Sequence, residues 1–258
     1  MTAARELPLS GIRVVDFGHI LAGPFCVRLL ADLGAEVVKV ETATRQGRTG
    51  ARRGGTRGAH PSGRTSLLAD INRNRRSIDL NLKSPADLAV ARRLVDAADV
   101  LVENFSSGVM DRLGLGYDVV VQTNPGLVYA SMSAYGHTGP HRAWTGMNVT
   151  LQACSGLMLA TGAAGDPPIG ISNSWNDYIG GLHTAVAIVG ALSQRRTTGR
   201  GRFLDVSQFE CSVAMIGSLL LMEFGTGAEA AAFAAGDPYG KAGLFRSVTI
   251  TPWRKVLP

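Results

Sequence analysis

Three cysteines in 258 residues, Cys26, Cys154 and Cys211, are too few and too far apart to staple a fold, and their odd number excludes a framework of paired sulfurs. Each lies in a largely apolar stretch, so all three are expected as small buried hydrophobes. No Cys/His cluster has metal-ligand spacing, and the five His are scattered, so no metal is expected. Runs of roughly 18 apolar residues, the length that crosses a bilayer, are missing. The stretch Met1 to Gly11 has no apolar centre of the kind a secretory signal needs. The expectation is therefore a cytoplasmic protein without a membrane partner. Aromatic residues do not interleave with the basic ones, and no recognition-helix or RNA-platform motif occurs, which excludes nucleic acid as the expected partner.

What is present is a glycine- and alanine-rich globular composition with a net charge of +6. The charge is concentrated: from Arg45 to Arg76 the chain carries nine Arg and one acid, Asp70. This segment, whose most Gly-rich part is 45–64, reads either as a solvated loop or as an attractor of a polyanionic ligand, because guanidinium forks phosphate oxygens in two-point contacts.

Periodicity gives a β/α alternation. Ile12 to Phe17 is a β-branched run, Ala22 to Leu33 has helical spacing closed by Gly34, and Glu36 to Val40 is a second strand. Further strands are expected over Ser77 to Leu82, Asp99 to Glu103, Leu127 to Ser133 and Phe203 to Val206. Helices are expected after Ser84-Pro85 and over Met147 to Met158, Asp177 to Gln194 and Ser207 to about Phe224. Gly227 to Ala235 is low-complexity. The fold class is α/β, with a mostly parallel sheet and helices on both faces. Residues 1–225 form the main domain, and 226–258 a linker or incomplete segment.

Parallel sheets of this kind bind ligands beyond the carboxyl ends of their strands. The loop Gly18-His19-Ile20-Leu21-Ala22-Gly23-Pro24 feeds a helix N-terminus able to favour an anion. It lacks the G-x-G-x-x-G spacing of dinucleotide binders, which demotes a nicotinamide or flavin enzyme.

Together the loops resemble one family. Leu21-Ala22-Gly23-Pro24, then Leu-Leu-Ala-Asp-Leu-Gly-Ala at 29–35 and Val-Val-Lys-Val-Glu at 37–41, resemble the opening of class III CoA-transferases. Asn72 to Ile78, Asp99 to Phe105, Gly108 to Gly114, Tyr135 to Pro140, Gln152 to Gly156 and Thr198 to Gly201 follow in the family's order. The resemblance spans Leu7 to Leu221. It implies a Rossmann-like large domain and no permanently bound cofactor, with coenzyme A or acyl-CoA as substrate and a small carboxylic acid as co-substrate. It also implies an interlocked homodimer, or a hetero-oligomer with a longer relative, because members carry a small domain missing from this sequence.

By motif position, the resemblance makes Asp177 the catalytic nucleophile. A carboxylate there would attack the acyl-CoA carbonyl to form a mixed anhydride, and CoA would then form a thioester with the aspartyl carbonyl. Placement in a helix N-terminal turn followed by Gly180 and Gly181 suits both the anion and a bulky thioester, although helix capping alone would also put an acid there. His19 and Ile20 would flank the nucleotide, Asn104 and Phe105 would line the adenine and pantetheine region, and Arg76 and Arg112 would serve phosphate. Racemases of the family carry a His-Asp pair where Met147-Asn148 stands here. One base of a two-base mechanism is thus missing, and a racemase becomes the alternative rather than the first reading. His183 is expected to be structural. A non-catalytic CoA-binding or assembly subunit is the second alternative.

Overall fold

The computed structural model describes residues 6–41, 70–163, 165, 167–216 and 226–236. The Arg/Gly segment 45–64 lies outside them. Six strands form one sheet: β1 (Arg13–Asp16), β2 (Glu36–Glu41), β3 (Arg76–Asp79), β4 (Val100–Glu103), β5 (Val128–Ser133) and β6 (Arg202–Ser207). Their order is β3-β2-β1-β4-β5-β6, and every neighbouring pair is parallel. The chain direction across the sheet reverses between β1 and β4, so a crevice opens above the carboxyl ends of those two strands.

The helices are α1 (Ala22–Asp32), α2 (Pro85–Asp96), α3 (Val109–Arg112), α4 (Tyr117–Val120), α5 (Asn148–Cys154), α6 (Trp175–Thr198), α7 (Gln208–Met215) and α8 (Gly227–Gly236). They cover both faces of the sheet because the strands alternate apolar residues. Val14, Val100, Val102, Val128, Ala130 and Met132 pack with α1 and with Ala185, Ile188, Ala191 and Leu192 of α6. Val15, Leu101 and Tyr129 point the other way, toward Ala91 and Val95 of α2, Met110 of α3 and Val120 of α4. The strands read as continuous apolar runs, as expected of a sheet buried on both sides.

Two expectations change. Cys26 and Cys211 are buried, but Cys154 is exposed; it ends a helix that stops at Ser155–Gly156, where Gly156 takes a φ of 81°, rather than running on to Met158. The stretch after Gly225, read only as low-complexity, contains α8. Its alanines favour helix, and a reciprocal capping pair starts it, with Glu229 Oε2 accepting from the Thr226 N–H at 2.9 Å and Thr226 Oγ1 accepting from the Glu229 N–H at 3.2 Å. Among the described residues no helix is long and apolar enough to cross a membrane.

Candidate functional site

The β1–α1 loop is built on a buried charge cluster. Asp16 ends β1 with 0% exposure and faces two cations, Lys39 Nζ at 3.3 Å and Arg75 Nη1 at 2.7 Å. It also accepts the Gly18 N–H at 2.7 Å, while Lys39 donates to the Gly18 carbonyl. Burial lowers the pKa of both Lys39 and Arg75, and the Asp16 charge opposes the shift in each case. The Asp16 carboxylate, with the charge of Glu41 acting on both cations as well, holds Lys39 and Arg75 beneath a loop that begins a helix. A Cβ on Gly18 would stand 2.9 Å from Gly23 Cα, and one on Gly23 would stand 2.8 Å from Gly18 Cα, so only glycines let the loop close on itself.

His19, Ile20, Asn104 and Phe105 converge at the crevice. The His19 N–H donates to Asn104 Oδ1 at 2.6 Å, and Asn104 Nδ2 donates back to the His19 carbonyl at 3.0 Å. This reciprocal pair ties the loop after β1 to the loop after β4. The His19 and Phe105 rings meet edge-on with centroids 4.7 Å apart. Ile20 has a φ of 61° and is 71% exposed. A β-branched residue in the left-handed region is a true outlier, and such strain concentrates at ligand sites.

Asp177 reaches the same loop from the long helix. It lies in the first turn of α6, and its carboxylate accepts the N–H of Ala22, the first residue of α1, whose own N-cap Leu21 offers no side-chain cap. The carboxylate therefore stands between two helix N-termini. Gly181 permits the approach: a Cβ there would meet the Ala22 carbonyl at 2.8 Å, Phe25 at 2.9 Å and the Cys26 nitrogen at 3.2 Å. Among the described residues Asp177 makes no ion pair. Burial pushes its carboxyl up from 3.8 to about 6, against the stabilising N–H groups of Ala22 and of Asp177 itself. Burial outweighs those donors, which on their own would lower the pKa.

The other predicted residues are placed as follows. Arg112 ends α3, exposed, with Nη1 3.2 Å from where a Gly108 Cβ would stand, beside the loop after β4. Arg76 is not brought to the others: its guanidinium, 76% exposed, turns to Glu36 at the amino-terminal end of β2, 3.4 Å away. Its neighbour Arg75 is the buried one, with a side chain 4% exposed. His183 holds the carbonyl of Ile179 on its own helix at 2.9 Å, as a structural histidine does.

Sequence reading missed Lys39 and Arg75. The signal was there: Asp16 at the end of an apolar strand demands a cation, and Lys39 stands between Val38 and Val40 in β2. It also missed a second buried carboxyl on the opposite face of the sheet. Glu103, 2% exposed, accepts from Ser131 Oγ and from the Phe105 N–H at 2.7 Å. Ser131 Oγ is 2.6 Å from His137 Nε2, and His137 Nδ1 is 3.0 Å from Ser107 Oγ. Burial raises the Glu103 carboxyl to about 7. This network borders a cleft of about 200 Å³ whose walls include Tyr117, Tyr129 and Phe203.

The doubly wound sheet, the strained anion-favouring loop at its reversal and an unpaired, partly desolvated carboxylate define a class of α/β domain suited to an anionic ligand and acyl chemistry. Residues 9–247 match CoA-transferase family III, and the chain belongs to that family. The match runs past Leu221, where the resemblance was expected to end, and takes in α8. The acetyl-CoA:oxalate CoA-transferase of Acetobacter aceti is 38% identical over 233 residues, 90% of this chain and 59% of the relative. The alpha subunit of the succinyl-CoA–L-malate CoA-transferase of Chloroflexus aurantiacus is 39% identical over 210 residues, 81% of this chain and 48% of the relative. A crystal structure of a CaiB/BaiF family protein from Brucella suis superposes with a TM-score of 0.74 at 32% identity, covering 90% of this chain and 59% of that one. The chain thus spans about half to three-fifths of the length of these relatives.

Proposed function

We propose that this chain carries the nucleophile and the CoA crevice of a CoA-transferase that moves CoA from an acyl-CoA to a small carboxylic acid. The observation that carries the reading is the Asp177 carboxylate, unpaired and half-buried between two helix N-termini, beside the loop that holds His19 and Ile20. A carboxyl value raised to about 6 leaves Asp177 mostly ionised at neutral pH yet more basic than a solvated aspartate, which suits attack on a thioester.

In the first step an Asp177 oxygen bonds to the acyl carbon, and the carbon–sulfur bond breaks, releasing CoA thiolate. The thiolate then attacks the aspartyl carbonyl, and the acyl group leaves as a carboxylate carrying one oxygen that belonged to Asp177. The acceptor carboxylate attacks the resulting aspartyl thioester, forming a second anhydride and freeing the thiolate again. Attack of the thiolate on the acceptor's carbonyl gives the new acyl-CoA and restores Asp177. The thioester's energy is kept throughout, so the cycle needs no nucleoside triphosphate. His19, Ile20, Asn104 and Phe105 line the nucleotide and pantetheine path, and Arg112 supplies a phosphate partner. Lys39 and Arg75, paired with Asp16, support the loop from beneath.

Relatives named as alpha and beta subunits of one transferase give the assembly-subunit reading its support. The two readings part in one experiment. The purified chain is incubated with an acyl-CoA, trapped with hydroxylamine and mapped by mass spectrometry. A hydroxamate on Asp177, absent from Asp177→Asn, is the expected result. Saturable CoA binding with no modification of Asp177 would favour the assembly subunit.

A further inference from the structure

Asp177 is delivered by a turn that its own residues do not favour. Asn173 and Ser174 have φ of 64° and 54°, in a left-handed region that asparagine tolerates but serine avoids, the more so at two consecutive residues. Ser174, the N-cap of α6, forms no side-chain cap bond. The cap comes instead from another helix: Asn148 Oδ1, at the start of α5, accepts the N–H of Asn176 at 3.2 Å across 28 positions. The same oxygen accepts Gln152 Nε2 at 2.9 Å. Gln152, 1% exposed, also closes a reciprocal pair with the backbone of Ile171, donating to its carbonyl at 2.9 Å and accepting its N–H at 2.7 Å. A buried primary amide with three such bonds fixes the chain as a strand partner would. Beyond the turn, Asn176 is anchored by its Nδ2 to Ser212 Oγ of α7 at 2.5 Å.

We propose that Asn148 and Gln152 are positioning residues for Asp177: from α5 they clamp the strained 171–174 turn and cap α6, which sets where the Asp177 carboxylate meets the Ala22 N–H. The inference rests on the reading of Asp177 as nucleophile. Neither side chain is asked to touch substrate. Asn148 acts only as an acceptor, so an aspartate there keeps the function and an alanine does not. Gln152 acts as donor and acceptor together, so an isosteric methionine removes both.

The test uses the 258-residue chain with Asn148→Ala, Asn148→Asp and Gln152→Met. Three quantities are measured: CoA affinity, the hydroxylamine-trapped labelling rate at pH 8, and the titration midpoint of the Asp177 carboxyl by carbon-13 NMR. Asn148→Ala and Gln152→Met are expected to slow labelling on the order of 10²-fold, the scale of a misplaced reacting group, with CoA affinity within about twofold. Their Asp177 midpoint moves down from about 6 toward the ordinary carboxylate range, because a relaxed turn admits water. Asn148→Asp keeps the midpoint at least as high as wild type and restores labelling. The inference is overturned if Asn148→Ala leaves midpoint and labelling unchanged, or if a folded Asn148→Asp behaves as the alanine does. Absence of labelling in the wild type would sink the nucleophile reading instead, while the midpoints still decide the positioning role. Should Asn148→Ala not fold, Gln152→Met and Asn148→Asp make the same comparison.

Discussion

The two faces of the sheet each hold a buried carboxyl whose pKa is raised, yet they are built for opposite ends. On the α2–α4 face, both oxygens of Glu103 are occupied, by Ser131 and by the Phe105 N–H, and the next links are His137 and Ser107. On the α1–α6 face, Asp177 faces two helix N-termini and makes no ion pair among the described residues. A raised carboxyl value therefore does not by itself mark a reactive group. What separates the two is exposure: Glu103 is 2% exposed, whereas Asp177 is only half-buried. Glu103 is tied to the loop that carries Asn104, while Asp177 is the group assigned the chemistry in the proposed function.

The comparison is sharpened first by stability. Glu103→Ala takes the acceptor from buried Ser131 and from the Phe105 N–H and is expected to cost about 2–4 kcal/mol in urea unfolding. An unchanged midpoint would mean that the Glu103 network does not brace the loops. Gly181→Ala comes next. Its Cβ would sit 2.8 Å from the Ala22 carbonyl, a backbone atom that cannot rotate away, so α1 and α6 must part at a cost of about 1–3 kcal/mol. Because that seam sets the Asp177 approach, acyl transfer should fall further than stability alone explains; proportionate losses would argue against the seam's role.

The smallest effect concerns Asp177 and pH. Its folded value, about 6, lies above the ordinary 3.8, so its contribution to stability is fully present below about pH 4 and lost as pH rises through 6. Asp177→Asn escapes that loss. The variant should match wild type near pH 4 and exceed it by about 1 kcal/mol at pH 8, a figure reduced for the group's partial contact with water. Lower stability of the asparagine variant at pH 8 would show the carboxylate to be a structural cap after all.

Much of this was legible in the chain's own pattern. β1, α1 and β2 stand within a residue or two of where apolar spacing and Gly34 place them, because short apolar runs and local periodicity decide such elements. Asp177, His19 and Asn104 were singled out through ordered motifs, but the hydrogen-bonded pairing of His19 with Asn104 was not foreseen. The charge partners were not: Arg75 and Arg76 are adjacent and chemically alike, and only the path of the chain decides that one is buried against Asp16 and the other turned to Glu36. The Asn148–Gln152 clamp was hidden for a related reason, since its bonds join residues 19 to 28 positions apart through a turn with left-handed φ at residues other than glycine, where local propensity points elsewhere. α8 was missed although its T-x-x-E capping pattern stands in the sequence.

The most direct measurement follows an oxygen atom. In a turnover from acyl-CoA to an acceptor acid labelled with oxygen-18 in its carboxylate, the second anhydride leaves one acceptor oxygen on the aspartyl group when CoA departs with the new acyl chain. Mass spectrometry of the peptide containing Asp177 after turnover is predicted to show oxygen-18 on that side chain and on no other carboxylate. Turnover with Asp177 unlabelled would contradict the assignment.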